Sequence, residues 1–333
     1  MKLLLTGGLG FIGSHTAVQL LEDGHDVIIV DNLSNSDKDV KRRIEEITGR
    51  KIKFYQYDMR NERKLAKVFK KEKIEGVIHF AGLKAVGESV QKPLLYYEHN
   101  IGITINLLKC MQKYNCKNLI FSSSATVYGA PEKNPVEETW PVAPANPYGR
   151  TKLYIEEILK DFFVANTDFN IVILRYFNPV GAHKSGKIGE NPRGIPNNLM
   201  PYITKVALGE LEYLNIFGDD YNTKDGTGVR DYIHVLDLAD GHVAALKKFN
   251  AKGGVSIYNL GTGKGSSVLE IVKAYNKVCG GKVKYKIAPR RAGDVDEYYT
   301  SPKKAERELG FKAKHTLEEM CEDSYRYGLN IKG

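Results

Sequence analysis

Thr6-Gly7-Gly8-Leu9-Gly10-Phe11-Ile12-Gly13 decides how this 333-residue chain is read. An apolar run, Leu3 to Thr6, precedes it as a strand, and an amphipathic stretch, Ile12 to Glu22, follows it as a helix. Glycine at 7, 10 and 13 lets the backbone turn tightly and approach a pyrophosphate, whose charge is favourable at a helix amino terminus. A glycine triplet alone also serves as a plain tight turn. Here the strand, the helix and Asp31 at the end of the next strand agree, so Gly7, Gly10, Phe11, Ile12 and Gly13 read as a dinucleotide-binding loop. The Asp31 carboxylate can accept hydrogen bonds from a ribose hydroxyl and would repel a 2′-phosphate. No Arg or Lys follows Asp31 until Lys38, which favours NAD over NADP.

The alternation continues outward. Val27 to Asp31, Ile52 to Tyr57, Val77 to Ala81, Leu119 to Ser124 and Ile171 to Tyr176 read as further strands, with helices over Glu62 to Lys71, Leu94 to Tyr114 and Tyr148 to Ala165. Buried-type strands separated by helices imply an α/β fold with a Rossmann-type doubly wound parallel sheet, whose ligands lie outside the carboxyl ends of the strands. Asp58, Gly82-Leu83-Lys84 and Ser122 to Ser124 fall at such ends. After Phe177 the pattern breaks. Asn178 to Thr227 is rich in Gly, Pro and Asn around one helical stretch, Met200 to Leu208, before an amphipathic helix over Val235 to Phe249. The expected division is a dinucleotide-binding domain over 1–177, with 229–252 returning to it, and a smaller α/β substrate domain over 178–333. The cleft between them is the expected site.

Composition narrows the function classes. The chain is 42% hydrophobic and 27% charged, as a globular protein with a sizeable core requires. Its 49 Lys+Arg against 40 Asp+Glu give +9, scattered over presumed helix faces as at Lys64 to Lys73. No basic block is interleaved with aromatics, which argues against nucleic acid and for an anionic small substrate. Cys110, Cys116, Cys279 and Cys321 lack metal-ligand or CxxC spacing, so no metal is expected and reduced thiols point to the cytoplasm. Lys2-Leu3-Leu4-Leu5 is too short for an export signal, and no stretch approaches the ~18 apolar residues of a membrane span.

Tyr148 and Lys152 stand four apart in a helical stretch, so an ammonium can sit one turn from a phenol. A free phenol, with a pKa of ~10, is a poor base at neutral pH, and a neighbouring cation favours its ionised form. Tyr-x-x-x-Lys also occurs on ordinary helix faces with a solvated lysine. Beside a dinucleotide loop it reads as an acid/base pair.

Together, Gly7-x-x-Gly10-x-x-Gly13, Asp58, Phe80-Ala81-Gly82-Leu83-Lys84, Ser122-Ser123-Ser124 and Tyr148-x-x-x-Lys152 resemble the extended short-chain dehydrogenase/reductase superfamily. Within it the chain is similar to the family of UDP-glucose (UDP-galactose) 4-epimerases, through runs spread from the first strand to about Leu317. The resemblance implies a retained NAD and reversible epimerisation of UDP-glucose and UDP-galactose at C4 through a 4-keto sugar that turns over in the pocket. Tyr148 would be the base, Ser124 would bridge it to the 4-hydroxyl, and Lys152 would hold the nicotinamide ribose and lower the tyrosine pKa. The implied cofactor residues are those of the loop with Asp31, Asn32, Leu33, Ser34, Asn35, Ser36, Asp58, Met59, Phe80, Ala81, Gly82, Leu83, Lys84, Asn100, Ser122, Tyr148, Lys152, Tyr176 and Phe177. The implied substrate residues are Lys84, Ser124, Tyr148, Phe177, Asn178, Asn197, Asn198, Leu199, Asn215, Phe217, Arg230, Arg291, Asp294 and Tyr298. Without the resemblance, Arg230 and Arg291 would more often be surface ion-pair partners, and Asp58, at the end of the third strand, could either reach the adenine or be a strand-end turn residue.

The family resemblance also implies a homodimer paired through helices Leu94 to Tyr114 and Tyr148 to Ala165. His99 stands before Asn100 where relatives carry Asn-Asn, and Met59 where Ile or Leu is common. A related dehydratase needs an acid and a base next to the catalytic serine, whereas Ser124 is followed by Ala125-Thr126. A non-enzymatic NAD sensor would have no use for Ser124, Tyr148 and Lys152 together, and a net dehydrogenase would have to release its reduced cofactor. Tyr298 is expected to bulk the sugar end of the pocket and exclude N-acetylated sugars, with the adjacent Tyr299 as the alternative facing residue.

Overall fold

A computed structural model describes residues 1–192, 194, 196, 198–250, 252–291 and 294–332. Seven strands form one sheet in the spatial order Gly254–Leu260, Asn170–Tyr176, Asn118–Ser124, Gly76–His79, Lys2–Thr6, Asp26–Asp31 and Lys53–Gln56. Every pair is parallel. Leu3 to Leu5, Val27 to Val30 and Ile171 to Leu174 are buried, because both faces are covered by helices. The strand order reverses at Lys2–Thr6, which pairs with Asp26–Asp31 on one side and Gly76–His79 on the other. That switch point opens a crevice at the carboxyl ends, and the glycine loop sits in it.

The sheet extends past the segment 229–252 that was expected to rejoin it. Helix Val235–Ala245 packs on helix Phe11–Glu22, and the chain then runs into the outer strand Gly254–Leu260. The sequence reading also missed helices Asp39–Thr48 and Val86–Gln91. The stretch expected as one helix over Leu94 to Tyr114 is instead Pro93–Tyr96, a π turn Tyr97–Ile101, and Gly102–Lys113. π turns of this kind are frequent at functional sites. This one carries Asn100 inward, where it accepts from the Leu83 amide at 2.8 Å and donates to the Leu83 carbonyl at 3.0 Å and to Thr151 Oγ1 at 3.1 Å.

Beyond Phe177, short strand pairs and three helices surround a separate apolar cluster. Asn178–Val180 pairs with Tyr232–His234, and Leu214–Phe217 with Tyr285–Ala288. Val229–Arg230 lies between Ser266–Ser267 and Glu297–Tyr298. Helices Leu199–Ala207, Val268–Cys279 and Leu317–Lys332 pack around Ile203, Ile216, Ile271 and Tyr275. Ser267 and Glu270 form a reciprocal capping box that fixes the start of Val268–Cys279.

Candidate active site

Gly7 has φ +67°, and a Cβ there would lie 2.9 Å from the Ala81 backbone. A Cβ on Gly13 would lie 2.6 Å from the Gly7 carbonyl oxygen. The loop therefore needs glycine at both positions to follow its path. No side chain caps helix Phe11–Glu22, so its positive end faces the loop. Asp31 accepts from the Leu9 amide at 3.1 Å, the Leu33 amide at 2.9 Å and Ser36 Oγ at 2.8 Å. Its carboxylate thus ties the glycine loop to the segment after the second strand, in which Leu33 adopts φ +60°. Asn32 donates to Asp58 at 3.2 Å and its side-chain oxygen accepts from the Ser34 amide at 3.0 Å, while Asn35 is exposed.

Asp58 is also clasped by Arg60, through the backbone amide at 2.8 Å and the guanidinium at 3.0 and 2.8 Å. This holds its carboxyl well below the usual carboxylate range. Arg60 escaped the sequence reading, although Asp-x-Arg at a strand end was the available signal. Met59 points into the apolar core and its carbonyl accepts from Asn106 at 3.1 Å, so its side chain is structural. The Phe80 ring lies 4.9 Å from His242, and Gly82 leaves room for Asn100. An open glycine cradle, a strand-end carboxylate and an unclaimed helix end are the features a dinucleotide requires, so the residues present fit one.

Ser124 ends its strand and caps the 3₁₀ turn Ala125–Tyr128, accepting from the Thr126 amide at 3.2 Å and Thr126 Oγ1 at 3.0 Å. Tyr148 and Lys152 project from the first turns of helix Pro147–Ala165, which Asn146 caps by accepting from Gly149 N at 2.9 Å. Ser89 Oγ accepts from the Tyr148 amide at 3.2 Å. The Lys152 ammonium donates to the Ser122 carbonyl at 2.6 Å and lies 5.8 Å from the Tyr148 ring centre. Burial pushes the Tyr148 phenol up to about 12, opposed by its hydrogen bond with Ser124. Burial lowers Lys152 to about 8, opposed by the Glu156 charge. The expected lowering of Tyr148 by Lys152 is not seen in the protein alone: desolvation of the phenolate dominates, and only the Ser124 hydrogen bond opposes it.

Tyr176 is buried and its hydroxyl bonds His242 Nε2, so it faces the layer under the sheet. Phe177 packs 5.2 Å from Tyr298, whose hydroxyl donates to the Ala125 carbonyl, directly after Ser124. Tyr299 lies instead against Gly265.

A second cluster gathers the cationic residues of the smaller region. Arg230 donates to the Val229 and Val295 carbonyls at 2.8 and 2.9 Å and reaches Asp294 at 3.2 Å. Arg291 lies 3.7 Å from the same carboxylate and 4.3 Å above the Phe217 ring. Asn215 shares the Phe217 strand, and Asn178 donates its amide to the Asp231 carbonyl at 2.9 Å. Two guanidiniums fixed beside an aromatic face suit a nucleoside diphosphate. Lys84 and Asn198 both donate to Glu190 Oε1, at 2.9 and 2.7 Å. Leu199 opens its helix and packs on the core beneath. Asn197 lies outside the described residues. Glu190, Arg290 and Tyr221 were not foreseen; Arg290 lies 4.0 Å over the Tyr221 ring. Among the described residues no His, Cys, Asp or Glu cluster could hold a metal.

The family model for GDP-mannose 4,6 dehydratase matches residues 4–324. A UDP-glucose 4-epimerase of Bacillus subtilis is 55% identical over 334 residues, covering 100% of this chain and 98% of its own length. A bifunctional UDP-glucose and UDP-xylose 4-epimerase of Pisum sativum is 56% identical, covering 99% and 96%. The crystal structure of the Bifidobacterium longum UDP-glucose 4-epimerase in complex with NAD+ and UDP matches with a TM-score of 0.96 at 53% identity, over 100% of this chain and 99% of that one. With Ala125-Thr126 after the serine in place of a dehydratase acid and base, and with full-length relatives of this kind, the chain belongs to the UDP-glucose 4-epimerase family of extended short-chain dehydrogenases/reductases.

Proposed function

We propose that the protein interconverts UDP-glucose and UDP-galactose by inversion at C4, with NAD held in the crevice of the parallel sheet. The observation that carries this reading is the convergence of Ser124, Tyr148 and Lys152 at strand ends beside a loop only glycine can trace. Gly7, Gly10, Phe11, Ile12 and Gly13 would hold the pyrophosphate, Asp31 and its neighbours a ribose, and Asp58 the adenine end. NAD, when bound, takes up and returns the C4 hydride. Tyr148 holds the proton of the 4-hydroxyl, and Ser124, hydrogen-bonded to it, bridges phenol and sugar. Lys152, 5.8 Å from the ring centre, would stand as a cation beside the tyrosine, and a bound oxidised cofactor would add positive charge nearby, both of which would favour the phenolate that burial disfavours. Arg230, Arg291, Asp294 and Phe217 anchor UDP while the sugar turns. Inversion needs that division between a held nucleotide and a loosely held ring.

A homodimer is part of the same reading. Leu94 is 80% and Val164 75% exposed, on the two helical segments that relatives of this fold would pair. Galactose metabolism in the cytoplasm is the setting proposed, supported by four free, buried cysteines. Among the described residues no helix is long and apolar enough to cross a membrane.

The experiment is incubation of the purified protein with UDP-galactose and no added NAD, with UDP-glucose as the readout. Denatured protein should release NAD; release of mostly NADP would overturn the role given to Asp31.

A further inference from the structure

Directly behind the reacting trio lies a charged pair that the chemistry described so far does not use. Glu156 is fully buried on helix Pro147–Ala165, one turn beyond Lys152. It accepts from the Arg175 guanidinium at 3.0 and 2.6 Å, and Arg175 is itself only 3% exposed. The remaining bond comes from Ser123 Oγ, the residue before Ser124. Arg175 precedes Tyr176, lies 4.7 Å over the Tyr128 ring and so braces the end of the 3₁₀ turn that Ser124 caps. Tyr128 is held in turn by Asn259 at 2.7 Å.

A buried ion pair is a poor source of stability, because desolving two charges costs about what their attraction returns. An apolar pair of the same volume would serve the core at least as well. This pair sits where it touches both strands that carry the site and the helix that carries the base. Resting on the epimerase reading above, we infer that Glu156 is a positioning residue that fixes Ser124 through Ser123 and holds Lys152 in its cationic form, with Arg175 as its counterion. The groups that face Lys152 are Tyr148 and Glu156 on its own helix, the Ser122 carbonyl and Phe121 on one strand, and the neutral His79 on the next. Glu156 is the one carboxylate among them, and it opposes the burial that brings Lys152 down to about 8.

The test uses the holoenzyme and two variants, Glu156→Gln and Glu156→Gln/Arg175→Met. The double variant removes the guanidinium that the single one leaves unpaired, so a folding defect from that charge is separated from the effect on the site. Two readouts are taken: the pH dependence of kcat and KM for UDP-galactose, and the titration midpoint of Lys152 followed by NMR of lysine labelled at Cε. Both variants should lose ~10-fold or more in kcat with KM for UDP-galactose little changed, as for a group acting on the reacting centre rather than on nucleotide binding. In Glu156→Gln the alkaline limb and the Lys152 midpoint should both move down by roughly one pH unit, since a neighbouring anion has been removed, and in the double variant, which loses a cation as well, they should move the same way by less. A rate loss with both midpoints unmoved would reduce Glu156 to a packing role and overturn the inference, as would unchanged turnover. If the unsubstituted protein does not epimerise UDP-galactose, the proposed function fails, while the NMR midpoint still tests the coupling of Glu156 to Lys152.

Discussion

Lys152 spends its hydrogen bond on the Ser122 carbonyl at 2.6 Å while its ammonium stands 5.8 Å from the centre of the Tyr148 ring. The helix that carries both is thereby pinned to the strand that ends in Ser124, which holds together the three residues to which the proposed chemistry gives the roles of base, bridge and cation. The arrangement also ties activity to the charge of one lysine. With Lys152 near 8, turnover should fall as pH rises above that value and the ammonium is lost.

Substitution of Gly13 by alanine should abolish cofactor retention. The new Cβ would lie 2.6 Å from the Gly7 carbonyl oxygen, which is backbone and cannot step aside cheaply. A cost of about 1–3 kcal/mol is typical of such overpacking. Thermal melting with and without added NAD checks this: the variant should melt lower and gain no NAD-dependent rise, and a wild-type melting curve with bound nucleotide would count against the loop.

Arg230→Met should act on binding. Arg230 is anchored by two carbonyls and Asp294, so its guanidinium is preorganised for a phosphate. Loss of a charge-assisted contact of about 1.5–3 kcal/mol corresponds to roughly one to two decades in KM for UDP-galactose, with kcat less affected. A drop in kcat at constant KM would place Arg230 with the chemistry instead of the anchor.

Tyr298→Cys should widen the range of sugars. The ring is buried against Phe177, and its hydroxyl is held by the carbonyl next to Ser124, so it fills the space beside the reacting trio. The unsubstituted protein should convert UDP-N-acetylglucosamine roughly one to two decades more slowly than UDP-glucose, the cost of overpacking a filled pocket. The variant should gain the N-acetylated substrate. Equal rates on both substrates before substitution, or unchanged selectivity after it, would refute the gate.

Acid should destabilise the fold through buried histidines. Burial lowers His15 and His79 to about 3 and His242 to about 4, against an ordinary 6.5. The unfolded chain therefore binds more protons below 6.5, and stability present above that pH is lost as pH falls towards the folded values. At about 1.4 kcal/mol per pH unit and group, the loss by pH 5 is on the order of several kcal/mol. His242→Gln should flatten the dependence of melting temperature on pH between 7 and 5. A melting temperature that does not change over this range in the unsubstituted protein would remove these histidines from the acid limb.

Much of this was legible in the chain because most of the sheet strands are apolar and are followed by glycine, aspartate or serine at their carboxyl ends. Gly7 to Gly13, Asp31, Ser124, Tyr148 and Lys152 all lie at ends of elements that periodicity locates. The π turn at Tyr97–Ile101 was not legible, because its cause is tertiary: Asn100 is drawn to Leu83 and Thr151, which are distant in sequence. Helix Asp39–Thr48 was missed although Val40, Ile44 and Ile47 recur at helical spacing, because the stripe is narrow, only Ile44 of it is fully buried, and charged residues surround it. Arg60, Glu190 and Glu156 escaped because a charged residue in a helix or loop looks like solvent-facing surface until its partner is known. The raised phenol of Tyr148 was likewise invisible, since spacing shows a neighbouring cation and not the degree of desolvation.

The most direct measurement compares the unsubstituted protein with Tyr148→Phe in conversion of UDP-galactose to UDP-glucose without added NAD. The variant keeps the ring and its packing and loses only the hydroxyl. The proposed chemistry predicts conversion by the unsubstituted protein, and a loss of ~10²- to 10⁴-fold in the variant, the range for a positioned acid/base, with NAD still released on denaturation of both. Absence of conversion by the unsubstituted protein, or near-equal turnover by the variant, would contradict it.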